Sequence, residues 1–284
     1  MEKKAEKKTE KKTDNKTEKN ERVKGTNPGT SEKKDAVIMN ISTVFFRDKV
    51  MINKDAGLIS IINMQTEDVG NALKKHNGTL VCVTRSGISA MFESGCDDAL
   101  KCAITICQEA ELEERRPLFK GLSIGIDYGT ICVGVVGYNG FDMPLIMSET
   151  MDTAVFLSET AMKYNSRILI TSDASMKLTD FQMRYNSRKL GRIYHAMTEL
   201  SEDIFDVYDG DLADTKYSKM RSRLFFETGV DLFLKGEYLE ARTYFIELLK
   251  FDRNDAAAKQ YVYRCDSCIA GTADEYKKQY LEIQ

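Results

Sequence analysis

Apolar positions change texture three times along the chain. The first thirty-four residues, MEKKAEKKTEKKTDNKTEKNERVKGTNPGTSEKK, contain almost none. A tract this poor in apolar groups has too little surface to bury against the entropy of ordering, so residues 1–34 are read as a disordered Lys/Glu-rich tail. From Asp35 the segment DAVIMNISTVFF brings β-branched and aromatic residues together and predicts a buried strand running into a turn. Residues 56–75 place Leu58, Ile61, Ile62, Val69 and Leu73 at helical spacing, with Gly78 as the left-handed stop. TLVCVTRSGISAMF predicts two strands about a turn near Arg85–Gly87. Residues 95–116 predict a helix with Ala99, Ala103, Ile106 and Ala110 on its apolar side.

LFKGLSIGIDYGTICVGVVG then predicts a strand, a glycine-containing turn and another strand. ETMDTAVFLSETAMKYN is helical, SRILIT is a strand, and SDASMKL is a short Ser-capped helix. The order is that of a βαββαβ ferredoxin-like core, hence α+β. GRIYHAM and DIFDVYD add two short strands. After about residue 211 the spacing is helical throughout: two amphipathic helices joined at KGEY, a third in AAAKQYVYRCDSCIA and a fourth in DEYKKQYLEIQ.

Composition narrows the choice. The net charge of −3 hides an asymmetry, because residues 1–34 hold 12 Lys and Arg against 7 Asp and Glu, leaving the remainder acidic. An acidic body does not suit nucleic acid. No apolar run is long enough to span a membrane and no secretory signal is visible, so a cytoplasmic protein is expected. The 7 cysteines form no framework, which suits reduced thiols. Cys265 and Cys268 lie at i, i+3, one face of a helix, and lack a second pair for zinc. His76 and His195, the only histidines, have no nucleophile beside them in sequence and are read as structural.

Four segments in order carry a resemblance. KHNGTLVCVTRSGISAMF resembles the class III nucleotide cyclase stretch in which a His-Gly-Gly-Thr turn leads to a hairpin carrying Gly-Asp-Gly. LSIGIDYGTICVGVVG is similar to the following hairpin, with Gly125, Gly129, Gly134 and Gly137 at its glycine positions. Met39-Asn40-Ile41 stands where that family has Ala-Asp-Ile, and ILITSDASMKL matches its late strand and short helix. The resemblance covers residues 35–210.

Cyclisation needs two divalent ions to activate a ribose oxygen and neutralise the phosphates, and hard ions take carboxylate ligands. The resemblance places the two metal aspartates at Asn40 and Ser86. It places the Asn and Arg of the second main helix at Asp152 and Phe156, and the base-selecting pair at Cys82 and Leu145. None of these six keeps the chemistry, so no catalytic residue, metal or cofactor is expected. Shifting the first strand would offer Asp48 as one metal ligand. Asp127 and Asp142 are read as turn or surface carboxylates.

FFETGVDLFLKGEYLEARTYFIELLKFDRND resembles one tetratricopeptide repeat, with Gly229, Gly236, Tyr238, Ala241 and Phe245 in phase and Thr228 and Arg253 departing from it. One repeat cannot bury its own faces, so residues 211–284 are expected to pack on the preceding domain, on a flanking helix or on a protein partner. The resulting expectation is a catalytically inactive, cyclase-like association module, by default a homodimer. The alternatives are a nucleotide sensor using Lys49 and Arg85, or a divergent active cyclase using Asp48 and Asp152.

Overall fold

The computed structural model describes residues 29–47, 57–138, 141–196, 199–274 and 278–283; Asp48 and Lys49 lie outside the described residues. Strand β1 spans Ser31–Ser42, so it takes in four residues that composition alone assigns to the tail. Its odd positions Val37, Met39 and Ile41 enter one core, and its even positions Ala36 and Ile38 enter another. A strand covered on both faces reads as a continuous apolar run, which is why VIMNI shows no alternation.

Helix α1 (Val44–Arg47) follows, then α2 (Leu58–Lys75), which buries Val69, Ala72 and Leu73. The left-handed residue after α2 is Asn77 (φ 57°), not Gly78. Gly78 answers a different need: a Cβ there would lie 2.6 Å from the Phe92 ring. The hairpin β2 (Thr79–Thr84) and β3 (Gly87–Phe92) forms as expected. Helix α3 (Cys96–Glu109) is shorter than its apolar spacing suggests. Glu111, Glu113 and Glu114 put negative charge at the end where the helix dipole opposes it, and Pro117 has no N–H to continue the ladder.

The segment expected to turn at a glycine is a single 16-residue strand, β4 (Ser123–Tyr138). Gly129 sits inside it, paired with Ala36, where a Cβ would lie 2.5 Å from the Thr150 hydroxyl. The glycine admits a crossing helix; it does not bend the strand. β5 (Phe141–Met147), absent from the sequence reading, pairs with the far half of β4.

Helix α4 (Glu149–Lys163) is capped by Ser148, whose Oγ accepts from the Thr150 N–H at 3.0 Å. β6 (Ile168–Thr171) leads into α5 (Ser172–Met176), and the cap is Thr171 rather than a serine. α6 (Phe181–Arg184), β7 (Ser187–His195) and β8 (Leu200–Val207) complete the first part of the chain. Helices α7 (Ala213–Leu234), α8 (Tyr238–Phe251) and α9 (Ala256–Ile269) follow. The expected fourth helix is instead a two-residue strand, β9 (Glu282–Ile283), parallel to β7 and tied by the Leu281 N–H to the Arg192 carbonyl.

The described strands form one mixed sheet ordered β2-β3-β1-β4-β6-β8-β7-β9, with β5 against β4. The fold is thus α+β. Helices α2 and α3 cover one face through Val37, Met39, Ile41, Ile88, Phe92, Ile124 and Ile126. On the other face Leu157, Ala161, Leu169, Leu190, Ile193 and Ile204 share a core with Phe226, Val230, Phe233, Phe245, Leu248 and Tyr261 of α7–α9. Gly229 gives α8 its approach, because a Cβ there would lie 2.8 Å from the Phe245 ring. Gly236 (φ 84°) turns the chain, Tyr238 meets Phe233 edge-on at 5.3 Å, and Ala241 is wholly buried.

A buried charge cluster joins the same elements. Arg188 Nε lies 3.1 Å from Asp206 and its Nη1 2.6 Å from Asp255, the residue that caps α9. Lys219 of α7 reaches Asp206 at 2.9 Å and Asp211 at 2.7 Å. Burial works against ionising Asp255, but the Arg188 guanidinium outweighs it and holds the carboxyl below its usual range. Cys265 and Cys268 are buried on α9, and burial pushes the Cys265 thiol up to about 12.

Candidate functional site

β1, the β2–β3 turn and α4 converge on Asn40. Its neighbours across the sheet are Ser89 on β3 and Gly125 on β4. Gly125 is required there, since a Cβ would stand 2.1 Å from the Ala154 carbonyl of α4. The Asn40 side chain is wholly buried and spends its hydrogen bonds inside the protein. Nδ2 donates to the Ser86 carbonyl at 3.1 Å and to Ser158 Oγ at 2.8 Å, and Oδ1 accepts from Ser89 Oγ at 3.0 Å. The structure therefore brings together Asn40 and Ser86, as the resemblance implies, and adds Ser89 and Ser158. The groups that meet here are neutral and satisfy one another's hydrogen bonds.

Arg47, which the sequence did not single out, reaches the same cluster from α1. Its Nη2 donates to Ser158 Oγ at 3.2 Å and its Nε to Ser42 Oγ at 3.0 Å. Burial presses its pKa below the ordinary value, against the pull of Glu159. A cavity of about 440 Å³ beside it is lined by Arg47, Arg85, Ser86, Glu159 and Lys163. The signal available in sequence was a basic residue seven positions after Asn40, but only the helical turn at 44–47 brings it back.

The other four positions are spread out. Cys82 is half-buried on β2 and pairs with Ser89, while Leu145 is exposed on β5 opposite Gly134. Asp152 is exposed in the first turn of α4. Phe156 packs against the core shared with α7–α9. Asp142 is exposed on β5, in keeping with a surface carboxylate.

Asp127 contradicts its reading as a turn or surface residue. It stands in mid-strand on β4, 7% exposed, its Oδ1 accepting from Thr171 Oγ1 at 2.7 Å. Burial pushes its carboxyl up to about 7, with the Thr171 bond working the other way. His195 is also buried, with Nε2 3.4 Å from Glu202 Oε2 and Nδ1 4.0 Å from Glu149 Oε1. The hydrogen bond to Glu202 keeps its proton on above the ordinary pKa. His76 caps α2, its Nε2 3.0 Å from Thr105 Oγ1. Among the described residues, no three His, Cys, Asp or Glu side chains are placed to hold a metal ion, and no helix is long and apolar enough to cross a membrane.

Solved nucleotide cyclases share this architecture. A bacterial light-regulated adenylyl cyclase superposes with a TM-score of 0.55 at 13% identity, covering 66% of this chain and 56% of that one. The adenylyl cyclase CyaB from P. aeruginosa gives 0.52 at 16% identity, covering 63% and 95%. The catalytic core of a rhodopsin-guanylyl cyclase with converted specificity gives 0.51 at 12%, covering 63% and 98%. The chain therefore has the fold of the class III adenylate/guanylate cyclase catalytic domain.

In sequence it is 25% identical over 142 residues to "Adenylate cyclase, terminal-differentiation specific" of Dictyostelium discoideum. That stretch is 50% of this chain and 7% of the Dictyostelium protein. No protein-family model matches the chain.

Proposed function

We propose that the chain is a cyclase-fold protein that does not cyclise nucleotides and acts by association in cyclic-nucleotide signalling. The Asn40 cluster carries this reading: the strand position where the resemblance implies a metal aspartate holds an amide already bonded to Ser86, Ser89 and Ser158. Arg47 lies against the same Ser158 hydroxyl, so a fixed cation stands beside the ground two divalent ions would need, and like charge repels them. Phe156, where the resemblance implies an arginine that would steady the phosphorus, is packed against a core. A phenyl ring offers no charge to a transition state whose stabilisation is electrostatic.

Self-association is part of the proposal, supported by exposed Leu80 and Val83 on β2 and Met143, Leu145 and Met147 on β5. A second contact surface is proposed on α7 and α8, where Tyr217, Phe225 and Phe251 are exposed around a groove of about 320 Å³. Deleting residues 211–284 would uncover the shared core, so this surface is tested by Tyr217→Ser with Phe251→Ser.

Purified full-length protein with Mn²⁺ and ATP or GTP is expected to yield no cyclic product. Calorimetry with the same nucleotides reads whether the Arg47, Arg85 and Lys163 cavity holds phosphate. Cyclic product formed at a rate that a substitution in this chain abolishes would overturn the proposal.

A further inference from the structure

Arg47 is a cation fixed in place with no anion to match it. It stands in the wall of the cavity of about 440 Å³ that Arg85, Ser86, Glu159 and Lys163 also line. Its hydrogen-bond partners are all neutral. Nε donates to Ser42 Oγ at 3.0 Å, Nη2 to Ser158 Oγ at 3.2 Å and Nη1 to Met162 Sδ at 3.8 Å. Burial works against its charge, and Glu159 pulls on it only from a distance, since among the described residues no carboxylate pairs with it. A half-buried charge in that setting is costly until an anion reaches it.

The surroundings make this a built site. Ser42 belongs to β1 and Ser158 to α4, so a strand and a helix hold the guanidinium from two sides. A guanidinium has five N–H groups, and the three bonds above leave one on Nη1 and one on Nη2. Arg85, exposed in the turn between β2 and β3, makes no ion pair or hydrogen bond among the described residues. Ser86 gives its carbonyl to Asn40 and its N–H to Thr84 Oγ1, which leaves its hydroxyl without a partner among those residues. Glu159 and Lys163 lie one turn apart on α4 and offset each other, so Arg47 and Arg85 leave the wall two positive charges in surplus.

We propose that this cavity binds a phosphate monoester as its dianion, without a divalent metal. The two remaining N–H groups of Arg47 meet two phosphate oxygens, a match that planar guanidinium makes well. The Ser86 hydroxyl donates to the same group, and Arg85 adds countercharge from the turn. The cavity is larger than a phosphate, and half-buried Met162 in its wall gives the organic part an apolar contact. Two surplus positive charges attract a dianion and repel Mg²⁺ or Mn²⁺. Metal independence separates this site from one that holds phosphates through divalent ions. Phosphate uptake and cyclic product are read in different assays, so either can fail without the other.

The test is a calorimetric titration of full-length protein with glycerol 3-phosphate and with inorganic phosphate, in EDTA at pH 8, where a monoester with a second pKa of ~6 is a dianion. One saturable site is expected. Arg47→Gln should weaken it at least tenfold and Arg85→Ala about fivefold, the loss of one charge-assisted contact each. Glu159→Gln, which takes the carboxylate out of the wall, should instead tighten it. Arg85 and Glu159 are exposed, so their variants report binding without endangering the fold. Three results would each overturn the proposal: no saturable uptake at millimolar phosphate, uptake that Arg85→Ala and Glu159→Gln leave unchanged, or uptake that appears only when Mg²⁺ or Mn²⁺ replaces EDTA.

Discussion

At position 40 a carboxylate oxygen in place of Nδ2 would face the Ser86 carbonyl at 3.1 Å, acceptor against acceptor. Asn40→Asp is therefore expected to destabilise the protein by about 2–3 kcal/mol at pH 7, the cost of a buried acceptor left without its donor. Burial raises the pKa of the introduced carboxyl, so the deficit shrinks as pH falls toward 5 and the acid regains a proton to donate. Urea denaturation at both pH values checks it. Asp127 makes the complementary case. Its pKa rises from 3.8 in the unfolded chain to about 7 in the fold, so stability present below pH 4 is lost as pH climbs through 7. His195, also raised, loses its contribution in the same direction. Relative to wild type, Asp127→Asn should gain on the order of 4 kcal/mol between pH 4 and pH 8, from a shift of about three pKa units. Equal pH slopes in both proteins would sink that assignment. Asn40 and Ser86, which the resemblance assigns to one site, lie side by side in the fold, because motif spacing survives in a hairpin. Sequence missed the burial of Asp127, because a carboxylate between glycines looks the same in a turn and in a strand.

Among the elements, β4 shows what local pattern leaves ambiguous. Glycines at 125 and 129 suggest a turn by composition, but both lie in extended backbone where α4 crosses within contact of a missing Cβ. Only the tertiary crossing distinguishes the two roles. The hairpin, α2, α4 and the short helix at 172–176 were legible because their periodicity and caps are local. β5 was not, since its seven residues alternate weakly and it exists only by pairing with β4. The α7–α8 packing rests on one small residue. Gly229→Val would drive methyl groups into the Phe245 ring and is expected to cost about 2 kcal/mol, against a helix-propensity gain of under ~1 kcal/mol. Thermal unfolding should show a lower midpoint; an unchanged one would mean the contact is looser than it looks.

Across the whole molecule, α7–α9 and the sheet share one core and one buried charge cluster, so the helical tail is part of the same packed body. Arg188→Met would strand Asp206 and Asp255 without their guanidinium, and a loss of about 3–5 kcal/mol is expected in a single transition. Two separate calorimetric transitions in the wild-type protein would show that tail and sheet fold independently. Packing on the preceding domain was one of the expectations for residues 211–284, but the charge cluster that joins them was not legible, because Arg188, Asp206, Lys219 and Asp255 are unremarkable charges until folding removes them from water. The central claim concerns what the cyclase scaffold still does, and one assay addresses it directly. Full-length protein at micromolar concentration, with Mn²⁺ and ATP or GTP, is followed for cyclic AMP and cyclic GMP beside an active cyclase. The account predicts product no faster than in buffer. Sustained product formation, abolished by a single substitution in this chain, would contradict it.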